Sequence, residues 1–471
     1  MRLNVARRCQ ACSRSTAARV PLVTRLASTL VVLALCACAS YVSRSAQIRD
    51  ALIVDDYDKA LKAVEAIDHS NSKLLYLYEK GMVLHCRGDW AGSSQAFSES
   101  ELVLEDLYTK SVTREVASLA ISETIAQYRG DAFEAVYIHY FQILNYLARN
   151  DVEGAMVECR RVNRKLQILN DGGETYFVND PFMQYLTGMV YEMGGDREAA
   201  GVSYRVASEL YESGAFAAVA PVPEAFFCDA AGNAYARSDR DEAAHYAARA
   251  RCAAGRDTGR VSLFFECGQI VRKRENSVVL PIFESDRWTD NEKFAQELSA
   301  RRGVDYGSPV KVKYWLKVSL PALEPALPLF SDVRVRARAL DRGNWVETRA
   351  SVVSNLDALA VQAFREKEGA IFGRAIVRAI VKYLAQQKAD KKDEGLGALV
   401  NLFNVVTETA DTRSWSSLPG AIYLARLDLP AGNYRVEVDF LGRGAGRAGS
   451  LVFDDVAVTA GQHVLRDARA Y

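Results

Sequence analysis

The chain has 471 residues, 49% hydrophobic and 25% charged, with 59 basic side chains against 59 acidic ones. That composition excludes a disordered, collagen-like or mucin-like polymer, and zero formal charge lacks the basic surplus with which a nucleic-acid binder neutralises phosphates. At roughly 100 to 200 residues per domain the length predicts two to four domains, each able to bury a core.

Residues 1–37 contain six arginines (Arg2, Arg7, Arg8, Arg14, Arg19, Arg25) and no acid, and end in an apolar run from Leu26 to Leu35. A basic start before a short apolar core is the pattern of a secretory signal. The run is shorter than the roughly 17 to 25 residues of a membrane-spanning helix. It closes with Leu35-Cys36-Ala37-Cys38, which resembles the bacterial lipobox. Cys38 is the expected lipidation site because small Ala37 precedes it, whereas bulky Leu35 precedes Cys36. Residues 38–45 would form a short tether. Ala39 stands where an aspartate would retain the protein at the inner membrane, so by resemblance to Gram-negative lipoproteins the chain is expected on the outer membrane, facing the periplasm. Cleavage would leave 53 basic against 59 acidic residues, a charge of −6, and membrane attachment would rest on acyl chains.

From 46 to 255, apolar residues recur at helical spacing between Gly/Asp/Asn turns. Gly188, Tyr191, Ala200, Tyr204 and Ala207 have the offsets of a tetratricopeptide (TPR) unit. Gly81, Leu84, Ser93, Phe97 and Ser100 repeat them, Gly232, Tyr235 and Ala243 or Ala244 give a weaker copy, and half-copies start at Tyr57 and Tyr146. A helix pair cannot bury its apolar face alone, so an all-α, TPR-like helical solenoid is predicted. Its concave groove would hold a peptide or partner helix, or the array would act as a spacer. After Cys38 come Cys86, Cys159, Cys228, Cys252 and Cys267, an odd number without a CxxC pair. This opposes a disulfide scaffold and leaves open one bridge between Cys228 and Cys252, on facing helices of one hairpin.

Beyond Gly255 the period becomes that of strands, predicting an α+β domain over 258–420. Segments 261–265 and 277–282 read as strands joined by a polar, Arg/Lys-rich hairpin, and 312–318 and 333–339 follow. In the last, Val333, Val335, Ala337 and Ala339 alternate with Arg334, Arg336 and Arg338, a half-buried strand with a solvated arginine row or an anion-binding one. A long helix over 356–388 aligns Arg374, Arg378 and Lys382 on one face, read as solvated or as a clamp for anions, before a charged loop at 389–396. Residues 421–471 supply β-sandwich-like strands completing the C-terminal domain, resembling immunoglobulin-like or transthyretin-like envelope modules.

His69, His85, His139, His245 and His463 are scattered without HxH or HExxH spacing, no GxSxG elbow occurs, and the GxGxxG match at Gly444, Gly446 and Gly449 lies between strands. No catalytic residue, metal site or cofactor is predicted, and the chain reads as a non-enzyme.

Three stretches stand out. Tyr128-Arg-Gly-Asp-Ala-Phe-Glu134 continues through His139-Tyr140 and Asn145-Tyr146 to Glu158-Cys-Arg160-Arg161. Phe265-Glu-Cys-Gly268 precedes Leu280-Pro281. Asp411-Thr-Arg413-Ser-Trp415-Ser-Ser-Leu418-Pro419 leads to Leu429-Pro-Ala-Gly432-Asn-Tyr434. With the leader, they resemble a family of uncharacterised TPR-containing lipoproteins of Gram-negative bacteria. The resemblance implies a lipoprotein associated with lipoproteins that are similar to activators of peptidoglycan synthases. Tyr146, Glu158, Arg160 and Arg161 are candidates to contact a partner in the groove, or they pair among themselves. Arg413 and Trp415 either lock a loop over the sheet or form a partner hot spot. The expected function is a protein-interaction scaffold in envelope or peptidoglycan maintenance, binding an envelope protein or peptide. The alternatives are a peptidoglycan-acting enzyme with an unfamiliar site and a docking subunit of a secretion or surface-assembly complex.

Overall fold

The computed structural model describes residues 40–111, 126–171, 180–250, 252, 258–283, 312–324, 330–341, 343–390, 409–442 and 446–471. The leader with Cys38, residues 391–396 of the expected loop, and Gly444 lie outside them. No helix among the described residues is long and apolar enough to cross a membrane.

A helical region comes first: α1 (Ser40–Ile53), α2 (Tyr57–Glu65), α3 (His69–Arg87), α4 (Trp90–Ser111), α5 (Ala132–Ala148), α6 (Val152–Asp171), α7 (Pro181–Met193), α8 (Arg197–Glu212), α9 (Phe226–Ala236) and α10 (Arg240–Ala247). Aspartates start five of these helices: Asp56, Asp68, Asp180, Asp196 and Asp239 each accept a backbone N–H of the first turn, satisfying a donor the helix cannot. Gly88 stops α3 in the left-handed conformation, φ 82°. Each helix packs on the next, as hairpins α3–α4, α5–α6, α7–α8 and α9–α10. Within the first and third hairpins, a Cβ on Gly81 or Gly188 would lie 2.5 Å from the ring of Phe97 or Tyr204. These are the glycine and aromatic positions of the two full copies of the repeat spacing.

The central helix is α5, buried around nearly its whole circumference from Phe133 to Leu147, as expected of a helix apolar on all sides. The strands that follow bring one of their sheets against the face formed by α3, α5 and α7. They are β1 (Thr258–Cys267), β2 (Arg272–Phe283), β3 (Val312–Glu324), β4 (Asp332–Ala339), β5 (Val346–Arg349), β6 (Ser351–Asn355), then helix α11 (Leu356–Asp390), β7 (Ala421–Pro430), β8 (Gly432–Leu441), β9 (Arg447–Val458) and β10 (His463–Ala470). Two four-stranded sheets, ordered β10-β1-β7-β6 and β5-β4-β8-β9, enclose a core containing Leu263, Phe265, Val335, Leu427 and Val438. The opposite face of β1 puts Phe264 against Tyr140 and Phe182. Burial on both faces explains why Val261, Leu263, Phe264 and Phe265 are apolar without strict alternation, the one polar residue among them, Ser262, being buried against His463.

Several expectations change. β1 and β2 do not form a hairpin: β1 pairs with β7 and β10, and β2 with β3. The connecting backbone groups are taken elsewhere, Gly268 N–H by Ala470 O and Ile270 N–H by Leu418 O, so no turn closes between them. The boundary at 420/421 falls inside the sandwich, because β1 sits between β7 and β10. Helix α11 packs Ala375, Ala379 and Tyr383 on Leu316 and Val318 of β3, runs through Ala389 and Asp390, and buries Arg378 instead of exposing it. Arg334 and Arg336 pair with Asp439 and Glu437 at 3.0 and 3.1 Å on β8, while Arg338 stands over the Trp345 ring. Cys228 on α9 is disulfide-bonded to Cys252, which lies beyond α10 and not on it.

Candidate functional site

Parts of the three stretches singled out in the sequence, within 128–146, at Glu266 and within 411–417, meet around α5. Glu134, in its first turn, accepts Tyr128 Oη–H at 2.6 Å and Asp131 N–H at 3.0 Å on Oε2, and Trp415 N–H at 2.8 Å on Oε1. The Trp415 ring is fully buried. It stacks on Tyr78 with centroids 4.6 Å apart, touches Phe97 and Phe141, and donates Nε1–H to Ser417 Oγ at 3.1 Å. Glu79 of α3 accepts both Ser416 N–H and Ser416 Oγ–H at 2.8 Å. Arg413 forks onto Asp411 at 2.8 and 2.9 Å and donates to the carbonyls of Asn71 and Ala126, each at 3.0 Å. Residues 411–417, in the described part of the connection between α11 and β7, thus enter the helical region and find hydrogen-bond partners there. Lys273 of β2 and Lys367 of α11 join at Asp131, 3.0 and 3.3 Å away.

Farther along α5, Tyr140 Oη–H donates to Glu266 of β1 at 3.0 Å. Asn145 Oδ1 lies 2.7 Å from His85 Nδ1, and His85 Nε2 lies 3.3 Å from Asp467 of β10. At the far end of the seam, Asp229 of α9 receives Arg260 of β1 and Arg426 of β7 at 3.2 and 3.1 Å. Away from the sheet, His139 sits between Glu158 and Glu101 at 2.9 and 3.3 Å, and Arg161 reaches the same two carboxylates at 3.2 and 3.1 Å.

Burial, reinforced by Asp131, pushes Glu134 up to about 7; burial and Asp467 do the same to Glu266. For His85, burial opposes the charge, but the hydrogen bond and charge of Asp467 prevail and raise it to about 9. Burial would raise Asp131, yet Lys273 and Lys367 hold it at about 2. Among the described residues two groups carry metal-ligand chemistry, His85 with Glu266 and Asp467, and His139 with Glu101 and Glu158, the ligand atoms of each lying within 4.8 Å of one another. In the second, the Arg161 guanidinium already bridges the carboxylates. Local spacing could not reveal either group, since each draws on three separate segments.

The six candidate partner-contact residues do not share one surface. Arg413 and Trp415 are buried within the chain, and Glu158 is enclosed by His139 and Arg161. Arg161 is half-exposed, Arg160 is exposed on α6, and Tyr146 is half-buried beneath Arg149. The helix face marked by Tyr78, His85 and Tyr140 is covered by the 411–419 connection, β1 and β10.

No protein-family model matches the chain, and no curated protein matches it. Among solved structures, the Rap conjugation gene regulator of the plasmid pLS20 in complex with the Phr* peptide is 15% identical over 50% of this chain and 57% of that chain, with a TM-score of 0.26, a likeness too low to support a functional argument.

Proposed function

We propose that the chain is an outer-membrane lipoprotein, anchored through Cys38, that serves the periplasmic envelope as a non-enzymatic interaction scaffold: a TPR-like solenoid whose concave face is closed by its own C-terminal module. The fixed-shape part of this reading is supported by the seating of Trp415 among Tyr78, Phe97 and Phe141, with Glu134 and Glu79 receiving its backbone and that of Ser416, while the anchor rests on the Leu35-Cys36-Ala37-Cys38 pattern. Buried aromatic and charged groups spent on joining two parts of one chain favour a fixed shape. Partners then meet the outer helices, where Arg160 is exposed, and not the groove.

Metabolic acyl labelling with membrane fractionation tests the anchor: Cys38→Ser should lose both label and membrane association, and unchanged fractionation would sink the lipoprotein reading. Photo-crosslinkers placed at Arg160 and at Tyr78 test the surface. A defined periplasmic partner captured from the first position only is expected, and capture from Tyr78 would show that the groove opens. Release of peptidoglycan fragments by the purified chain, abolished by a single carboxylate substitution, would favour an enzyme.

A further inference from the structure

Where α1, the start of α3, β2 and the 409–416 connection come together, they enclose a cleft of about 400 Å3. Most charged side chains lining it have partners: Arg413 holds Asp411 at 2.8 Å, Lys273 holds Asp131 at 3.0 Å, Lys317 holds Glu275 at 3.0 Å, and Arg272 lies 3.6 Å from Glu324. Asp68 caps α3 through Ser70 N–H at 2.9 Å.

Two arginines stand apart. Arg49 of α1 is only 7% exposed, faces this cleft, and makes no hydrogen bond or ion pair among the described residues. Arg274 of β2 is exposed at the same cleft and is likewise without an ion-pair partner among the described residues. The largest charge attraction on Arg49 comes from Glu79, whose Oε1 is taken by Ser416 and Tyr41 and whose Oε2 is buried without a hydrogen-bond partner, and the two side chains form no ion pair. Burial holds the Arg49 guanidinium below its usual range, and attraction to Glu79 does not make up the difference. A buried charge without a partner is costly, and a methionine or leucine would fill the same space without that cost.

We propose that this cleft binds a small oxyanion, a phosphate or carboxylate group, with Arg49 as its deep anchor and Arg274 as a second cation. The planar guanidinium fork matches either group through two parallel N–H···O bonds. The volume lies in the range of small-molecule pockets, roughly 300 to 1,000 Å3. The anion has two possible sources, a free solute or the headgroup of a lipid, because α1 begins two residues after Cys38. The second source rests on the anchoring proposed above, whereas the first is independent of it.

The test uses the full chain at low salt, in neutral detergent for calorimetry and with the detergent removed for flotation. Titration calorimetry with inorganic phosphate and with succinate covers the free solutes, and flotation with phosphatidylcholine vesicles with and without phosphatidylglycerol covers the headgroup. One saturable site is expected, weakened roughly tenfold or more in Arg49→Gln. Binding to phosphate or succinate marks a free solute, and binding only to the anionic vesicles marks a headgroup; either supports the proposal if Arg49→Gln removes it. Arg274→Gln, at an exposed position, keeps the test readable if the Arg49 variant fails to fold. Absence of saturable binding in every arm, or affinity unchanged in the folded variants, overturns the proposal.

Discussion

Glu134 receives the backbone N–H of Trp415 at 2.8 Å across 281 residues of chain, while its other oxygen serves the first turn of its own helix. One carboxylate therefore organises both the start of α5 and the docking of the C-terminal module. Trp415→Ala removes the ring that fills the space between Tyr78, Phe97 and Phe141 and should cost about 3–5 kcal/mol. Guanidinium unfolding followed by circular dichroism measures this, and limited proteolysis should cut the 409–418 connection earlier in the variant. A loss below about 1 kcal/mol would mean that the ring is not an anchor.

The same seam makes stability depend on pH. Glu134 and Glu266 move from 4.5 up to about 7, and His85 from 6.5 up to about 9. In each case the folded chain keeps a proton that the unfolded chain releases. The contribution is therefore complete below the unfolded value and is lost as pH rises through the folded one, between 4.5 and 7 for the carboxylates and between 6.5 and 9 for the histidine. Asp131 has the opposite sign: lowered from 3.8 to about 2, it stabilises above 3.8 and loses that effect on acidification. His463, lowered by burial from 6.5 to about 3, offsets part of this below pH 6.5, but the two carboxylates outweigh it, so denaturation midpoints should decline from about pH 5 toward pH 9 by on the order of a few kcal/mol. Glu266→Gln should flatten the decline between pH 5 and 7. A midpoint that rises over this range would contradict the assignment.

What the sequence made legible follows the distance over which each feature is determined. Gly81 with Phe97, and Gly188 with Tyr204, are contacts inside single helix hairpins, so their spacing along the chain already encodes the approach. The apolar run of β1 signalled burial but not its neighbours, because its parallel partner β10 lies some 200 residues away and no local pattern marks that pairing. Trp415 and Arg413 stood out by residue type, yet a lock and a partner hot spot use the same chemistry, and only Tyr78, Asn71 and Ala126 on the receiving side separate the two. His85 and His139 looked isolated because their carboxylates come from other elements.

The glycine–aromatic contacts give a direct test of the repeat packing. Gly188→Ala would place a methyl group 2.5 Å from a Tyr204 ring carbon, and the ring is held by Phe226 and Tyr185 on its other sides. Overpacking of this kind should destabilise by about 1–3 kcal/mol. Pairing it with Tyr204→Leu should recover part of the loss, so a double-mutant cycle should show positive coupling. Strict additivity would mean that the two residues do not constrain the α7–α8 approach.

The disulfide calls for a local expectation rather than a global one. Cys228 and Cys252 close a loop with a sequence separation of 24 around α10, a short helix that buries only Ala243 and Tyr246. With so little apolar surface of its own, α10 depends on the bridge and on Arg237, which pairs with Glu242. Chain-entropy reasoning gives the bridge about 2–4 kcal/mol, and Cys228→Ser should release that amount at the end of the helical region while leaving α5 protected. Hydrogen exchange read peptide by peptide separates the cases: faster exchange confined to 226–250 is the expected result, and equal loosening of α5 would show that the bridge supports the whole helical array.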